Sequence, residues 1–119
     1  MALALALSGC GSGGDSPNGT LVVDWTVAGS KRTAACRDFD ADSIDIVVRT
    51  SDGYFVDEVS DYCESFALGI TLPSDSYTID AVLLDVAGNE LTTPATDRLG
   101  VYRYETSVSA IDFPADAFY

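Results

Sequence analysis

The sequence predicts an all-β domain, a single antiparallel β-sandwich of about seven strands, and two observations carry this prediction. Apolar and polar residues alternate with a period of two in four segments, as in strands that are buried on one side. Turn-forming residues separate these segments at intervals of about 8–12 residues. A chain of 119 residues has room for one domain of this kind.

The four alternating segments span residues 21–27, 43–49, 66–72 and 77–84. The residues that share each apolar face are Leu21, Val23, Trp25 and Val27, then Ile44, Ile46 and Val48, then Phe66, Leu68, Ile70 and Leu72, and finally Tyr77, Ile79, Ala81 and Leu83. We assign these faces, with Trp25 among them, to the core. Val82 and Leu84 are apolar residues on the second face of the last segment, and a segment with two apolar faces is expected to be a central strand.

Three further strands are predicted in less regular segments, at residues 54–60, 90–93 and 101–113, the last broken by a bulge. The inward face of residues 54–60 depends on the preceding turn: it holds either Tyr54 and Val56, or Phe55 and Val59. Residues 28–41 show little alternation, so we expect a short helix or a long loop held by Cys36.

The composition excludes several classes of function. The formal net charge is −13, from 19 acidic and 6 basic residues, so phosphate backbones are repelled and a nucleic acid is not expected as a partner. The sequence has no histidine, and Lys31 is its one lysine. The commonest general base and the commonest zinc ligand are therefore missing. We expect a protein that is not an enzyme, with no cofactor and no metal site.

The N-terminus suggests where the protein is located. Residues 1–7 contain only Met, Ala and Leu, too few to cross a bilayer but similar to the end of a secretory signal. Leu7-Ser8-Gly9-Cys10 resembles the lipobox of bacterial lipoproteins. This resemblance implies that the Cys10 thiol receives a diacylglyceryl group and that the chain is cut before it. Gly11, where inner-membrane lipoproteins often carry Asp, implies the outer membrane. The alternative is an ordinary signal peptide with a chance cysteine.

These observations divide the chain into three parts. Residues 1–9 are the C-terminal part of a signal peptide, residues 10–19 are the lipidated cysteine and a flexible Gly/Ser tether, and residues 20–119 are the sandwich. Because no Lys or Arg precedes the apolar run, we expect the true start to lie upstream. In an oxidising compartment the remaining cysteines, Cys36 and Cys63, are expected to form a structural disulfide.

The segment Leu72 to Glu90, LPSDSYTIDAVLLDVAGNE, resembles a hairpin of bacterial immunoglobulin-like and carboxypeptidase-regulatory-like (prealbumin-like) domains. A proline turn there leads to a tyrosine-bearing strand and an Asp-x-x-Gly-Asn turn, although Asp75-Ser76 stands where the familiar version has Gly. The overall layout also looks like that of lipoproteins of Gram-negative cell envelopes. The resemblance implies a spacer, an assembly part or a binding module.

Two other groups of residues are candidate binding sites. Asp38, Asp40, Asp42 and Asp45 alternate along the chain in a pattern that could hold calcium, but Ser43 and Arg49 occupy the EF-hand positions that need Gly and Glu. Tyr102 and Tyr104 flank Arg103 on one face of a predicted strand. They could anchor a protein or glycan partner, and we slightly favour the alternative that they belong to the core.

The sequence thus predicts a lipid-anchored envelope protein, held at the outer membrane through Cys10. Its sandwich is expected to have a non-catalytic role in structure, assembly or recognition, with an envelope protein as a possible partner. The alternative is a soluble exported module that uses the acidic loop for calcium or a small ligand.

Overall fold

The computed structural model describes residues 18–119, and in these residues seven strands form two sheets. The elements are β1 (Asn18–Val27), α1 (Thr33–Asp38), β2 (Ser43–Thr50), β3 (Phe55–Tyr62), β4 (Ala67–Pro73), β5 (Asp75–Leu84), β6 (Ala95–Val101) and β7 (Thr106–Phe113), with 3₁₀ turns at Cys63–Ser65 and Ala115–Ala117. Within residues 18–119, no helix combines the length and apolar character needed to cross a bilayer.

The two sheets confirm the predicted all-β sandwich. One has the strand order β4-β1-β7 and the other the order β3-β2-β5-β6. All pairs of neighbouring strands are antiparallel except β1 and β7, which run parallel from Thr20 opposite Thr106 to Val27 opposite Phe113. The sandwich is therefore antiparallel except for one parallel pair, which joins the central strand β1 of the smaller sheet to its edge strand β7.

The core lies between the sheets and consists of the alternating residues that the sequence identified. Every inward residue of β1 is fully buried, and so are those of β2. Leu68 is the exception among the predicted faces, since it is only half-buried at the edge strand β4. Trp25 spans the core, and its indole Nε1 donates a hydrogen bond of 2.9 Å to the carbonyl oxygen of Cys63. This bond satisfies the one polar group of the largest buried side chain.

The segment between β5 and β7 differs from the prediction. Residues 90–93 form only isolated bridges, at Glu90 and Thr92, and β6 begins at Ala95 instead. Pro94 has no backbone N–H to donate, and the Thr92 hydroxyl accepts a bond from the Leu83 N–H in place of a strand carbonyl. The predicted strand at 101–113 is divided at residues 102–105, where Tyr104 has a φ of 60°. This left-handed residue reverses the chain between β6 and β7.

Strand β3 follows neither predicted pattern, since Val56 and Val59 both pack against the core while Tyr54 and Phe55 are exposed. The spacing of three residues between the two valines requires a bulge. The register shows it: Val48 lies opposite Asp57, and Arg49 lies opposite Phe55, so Val56 is the extra residue.

Residues 28–41 contain the short helix that was one of the two predictions. Its buried residue, Cys36, forms the predicted disulfide with Cys63, which lies in the turn after β3. The disulfide therefore ties α1 to the end of the four-stranded sheet.

Removing the disulfide should destabilise the fold substantially. Its two cysteines are 27 residues apart, and a loop of this size corresponds to about 3–4 kcal/mol of unfolded-chain entropy. We expect the double variant Cys36→Ala/Cys63→Ala to lose that amount in urea unfolding followed by Trp25 fluorescence. Wild type under reducing conditions is the matched control and should fall to the same midpoint. A loss below about 1 kcal/mol would contradict this entropic contribution of the disulfide.

Alkaline pH should destabilise the protein through Tyr77. Its hydroxyl donates a bond of 2.6 Å to the Pro73 carbonyl, and burial, then the charge of Asp75, raises the pKa of Tyr77 above its ordinary value. The stabilisation of the folded state by the protonated Tyr77 hydroxyl is fully present below the unfolded pKa of about 10. It is lost as the pH rises through the higher pKa of the folded state. At pH 8 we expect Tyr77→Phe to be about 1 kcal/mol less stable than wild type. This difference should shrink above pH 10 in urea unfolding.

Candidate functional site

The described part of the chain begins at Asn18, which lies at one end of the sandwich. The two ends differ in their surface residues. We call the end that holds Asn18 the tether end; it includes the turns at residues 51–54, 74–75 and 102–105. The opposite end, the distal end, holds α1, the turn at Cys63–Ser65, the turn at 85–89 and the C-terminal residues. The predicted lipidation site Cys10 lies outside the described residues.

Backbone contacts join the turns of the tether end to the first residues of β1. The Tyr104 N–H donates to the Asn18 carbonyl at 2.9 Å, and the Thr20 N–H donates to the Glu105 carbonyl at 2.9 Å. On the other sheet, the Ser51 N–H donates to the Ser76 carbonyl at 3.1 Å. The β6–β7 turn is thus fixed directly against the point where the chain enters the fold.

Gly19 makes this close approach possible. A Cβ at this position would lie 2.2 Å from the carbonyl oxygen of Tyr102 and 2.8 Å from Cγ1 of Val101. Both are closer than any real contact, so only glycine fits between β1 and the end of β6.

Four aromatic side chains are exposed at the tether end: Tyr54, Phe55, Tyr102 and Tyr104. The ring of Tyr102 folds back onto β6, since a Cβ at Gly100 would lie 2.7 Å from the Tyr102 hydroxyl oxygen. The expectation that Tyr102 and Tyr104 belong to the core, on one strand, is wrong. Both flank Arg103 in the β6–β7 turn, and Tyr104 is 87% exposed. The physical reason is the left-handed backbone at Tyr104, which ends the period-two alternation and turns its side chain outward. Tyr54 and Phe55 follow the β2–β3 turn and are also exposed.

The distal end is acidic. Its exposed or half-buried carboxyl side chains are those of Asp38, Asp40, Asp42, Asp61, Glu64, Asp85, Glu90 and Asp116. An open groove of about 590 Å³ lies there between α1, the turn at Cys63–Ser65 and the turn at 85–89, and Arg37 at its wall lies 3.6 Å from Glu64.

The structure does not gather the acidic residues into a calcium site. Asp38 ends α1, Asp42 precedes β2 and Asp45 lies within β2. Within residues 18–119 there is no group of three or more acidic, Cys or His side chains placed to hold a metal ion. The Asp85 carboxylate accepts bonds from the N–H groups of Ala87 and Asn89, each at 2.9 Å. Backbone bonding, from Asn89 first, lowers the pKa of Asp85, so this carboxylate stabilises its own turn.

The outer face of the four-stranded sheet carries two polar clusters. Arg49 donates to Asp80 at 2.8 Å, and Thr96 donates to the other oxygen of the same carboxylate at 2.6 Å. Closer to the edge, a hydrogen bond with Asp45, and then the charge of Asp45, raise the pKa of Glu58 above its ordinary value. Glu58 is fully exposed on β3, without the enclosed cleft that a catalytic acid of raised pKa occupies.

No protein-family profile matches the sequence, and no curated protein matches it. Two solved structures from Bacteroides thetaiotaomicron show partial similarity. A leucine-rich repeat protein has a TM-score of 0.49 and 14% identity, over 92% of this chain and 16% of that chain. A candidate polysaccharide-binding protein has a TM-score of 0.49 and 9% identity, over 76% of this chain and 46% of that chain. This chain thus spans less than half the length of either, and similarity at this level indicates no function.

Substitution of Gly19 tests whether the tether end depends on its close backbone approach. We expect Gly19→Ala to lower the free energy of unfolding by about 1–3 kcal/mol, because the added methyl group must displace the Tyr102 carbonyl. Gly69 on β4 is the matched control, since a Cβ there meets nothing within 4 Å. Gly69→Ala should be neutral or stabilising by up to about 1 kcal/mol. Equal urea midpoints for the two variants would contradict the close approach.

Proposed function

We propose that this chain is an envelope lipoprotein, anchored in the outer membrane through lipid on Cys10, with a non-catalytic sandwich. The observation that carries the proposal is the sequence Leu7-Ser8-Gly9-Cys10 at the end of an apolar run. The chemistry fits this arrangement, because cysteine supplies the nucleophilic sulfur of a thioether and small residues before it let the backbone enter a narrow protease site.

Two features of the described fold support export and attachment. The Cys36–Cys63 disulfide is of the kind that persists in oxidising compartments such as the periplasm. The sandwich begins at Asn18, so eight residue steps separate the predicted lipid from the first strand. Such a spacing holds the sandwich next to the membrane and leaves the sandwich outside it. Two or three acyl chains would anchor it far more firmly than one.

The non-catalytic role rests on composition and on the placement of the carboxyl groups. The sequence has no histidine, and the carboxyl of raised pKa, Glu58, lies in the open on an edge strand. The hairpin resemblance at residues 72–90 points to a spacer, an assembly part or a binding module. Attachment to a membrane raises the effective concentration of such a module toward partners in the same membrane, so weak contacts suffice.

Expression with its own N-terminal signal in a Gram-negative host tests the anchor. We expect mass spectrometry to find the mass of a diacylglyceryl group and an N-acyl chain on a peptide that begins at Cys10. Cys10→Ser should abolish this modification and release the chain from the membrane fraction. An unmodified thiol, or a mature chain that has lost Cys10, would overturn the proposal.

A second variant tests the membrane of destination. Gly11→Asp changes only the residue after the cysteine, so lipidation should persist. We expect wild type in the outer-membrane fraction and the variant in the inner-membrane fraction after density-gradient separation. Wild type in the inner membrane would contradict the outer-membrane assignment and leave the lipid anchor intact.

A further inference from the structure

We propose that the tether end docks directly onto the lipid bilayer, with Tyr54, Phe55 and Tyr104 at the level of the headgroups and Arg103 on lipid phosphate. This inference rests on the proposed function, since the lipid on Cys10 brings the two surfaces together. It adds an orientation: the sandwich stands on the membrane by one end.

The chemistry of the tether end fits the interface between water and hydrocarbon. Tyrosine has an apolar ring and a hydroxyl that needs a hydrogen-bonding partner, and it is enriched at the headgroup level of membranes. Phe55 adds apolar surface, and Arg103 lies between Tyr102 and Tyr104 with a guanidinium suited to two-pronged phosphate contact. Together these side chains match a zwitterionic or weakly anionic headgroup layer.

The spacing of the aromatic side chains fits a planar surface. Tyr54 precedes β3, Phe55 begins it, and Tyr104 lies in the turn after β6; β3 and β6 are the two edges of the four-stranded sheet. Three interstrand spacings separate these strands, or about 14 Å. A bilayer is wide enough to contact both edges at once, whereas a small ligand is not.

The length of the tether keeps this end of the sandwich close to the membrane. Eight residue steps from Cys10 to Asn18 span at most about 29 Å when fully extended. Because Asn18 accepts a hydrogen bond from the backbone of Tyr104, the β6–β7 turn lies beside the point where the tether joins the fold. These aromatic side chains are therefore among the first parts of the sandwich to meet the lipid.

The distribution of charge favours the same orientation. The acidic residues of the distal end, such as Asp40, Glu64 and Asp85, would be repelled by anionic headgroups if they faced the membrane. Acidic residues are fewer at the tether end, where Asp52, Asp75 and Glu105 stand with Arg103, whereas the eight acidic residues of the distal end stand with Lys31, Arg32 and Arg37. Both ends are negative, and the distal end is the more strongly repelled by anionic headgroups.

Two tryptophan reporters test the orientation on vesicles. The chain from Cys10 to Tyr119 is coupled through the Cys10 thiol to a maleimide lipid, so the experiment does not depend on lipidation in the cell. The vesicles contain phosphatidylethanolamine and a minority of phosphatidylglycerol, with bromine on the acyl chains as a quencher. The reporters are Tyr104→Trp and Tyr119→Trp, at opposite ends, and wild type gives the background of the buried Trp25.

We expect bromine to quench the Tyr104→Trp reporter and to leave Tyr119→Trp and Trp25 unchanged. Equal quenching at both ends, or an unquenched Tyr104→Trp on fully coupled protein, would overturn the docking proposal. Neither result would bear on the lipid anchor itself, which the mass of the N-terminal peptide decides. Docking and anchoring can therefore fail separately.

Partitioning provides a second, quantitative readout. One acyl chain holds a protein only marginally, so a conjugate with a single palmitoyl chain on Cys10 is sensitive to added contacts. The tether-end variant, Tyr54→Ser/Phe55→Ser/Tyr104→Gly, should partition about tenfold more weakly into the same vesicles than wild type. The matched distal variant, Tyr62→Ser/Tyr119→Ser, should partition like wild type.

Urea midpoints and Trp25 emission establish that both variants are folded. If the triple variant is not folded, Tyr104→Gly alone replaces it. That single substitution relieves backbone strain and removes one ring, so it should weaken partitioning without loss of stability. Partition coefficients that are equal among folded variants would contradict docking. A larger loss of partitioning for the distal variant than for the tether-end variant would also contradict docking.

Discussion

The direction of β1 is the constraint on which the rest of the structure depends. β1 is the middle strand of the three-stranded sheet, and Leu21, Val23, Trp25 and Val27 are fully buried along its length. If β1 ran in the opposite direction, the chain would enter the fold at the acidic distal end, and β1 could not pair in parallel with β7. β1 begins at Asn18 and runs toward the distal end. The turns beside Asn18 therefore lie close to the membrane in which the proposed lipid on Cys10 is anchored.

The two ends of the sandwich are stabilised by different means, which lets them differ in surface chemistry. At the distal end the Cys36–Cys63 disulfide and the bond from Trp25 to the Cys63 carbonyl hold α1 and the turn after β3. The disulfide and this hydrogen bond hold the distal end together although many carboxylates lie close to one another there. At the tether end, close backbone packing at Gly19 replaces covalent attachment, and the side chains of Tyr54, Phe55 and Tyr104 are exposed.

The sequence pattern was sufficient for the sandwich, the disulfide and the strands that form the core, because period-two alternation follows directly from burial on one face. It failed where single residues change the backbone. The bulge at Val56 and the left-handed Tyr104 each shift the alternation, and alternation alone cannot distinguish such a shift from a continuous strand. The aromatic tether end was missed for the same reason. Tyr102 and Tyr104 look like one face of a strand until the turn between them is known.

Paramagnetic relaxation tests the account most directly, because it reports anchoring and orientation together. The lipidated protein, purified from cell membranes and reconstituted in nanodiscs with gadolinium-labelled headgroups, would be compared with the same protein in unlabelled nanodiscs. The account predicts broadening of the amide signals of residues 52–55 and 102–105, while those of Asp40 and Val86 stay sharp. Broadening that is uniform over both ends, or absent altogether, would contradict the claim that β1 directs one end of the sandwich onto the membrane.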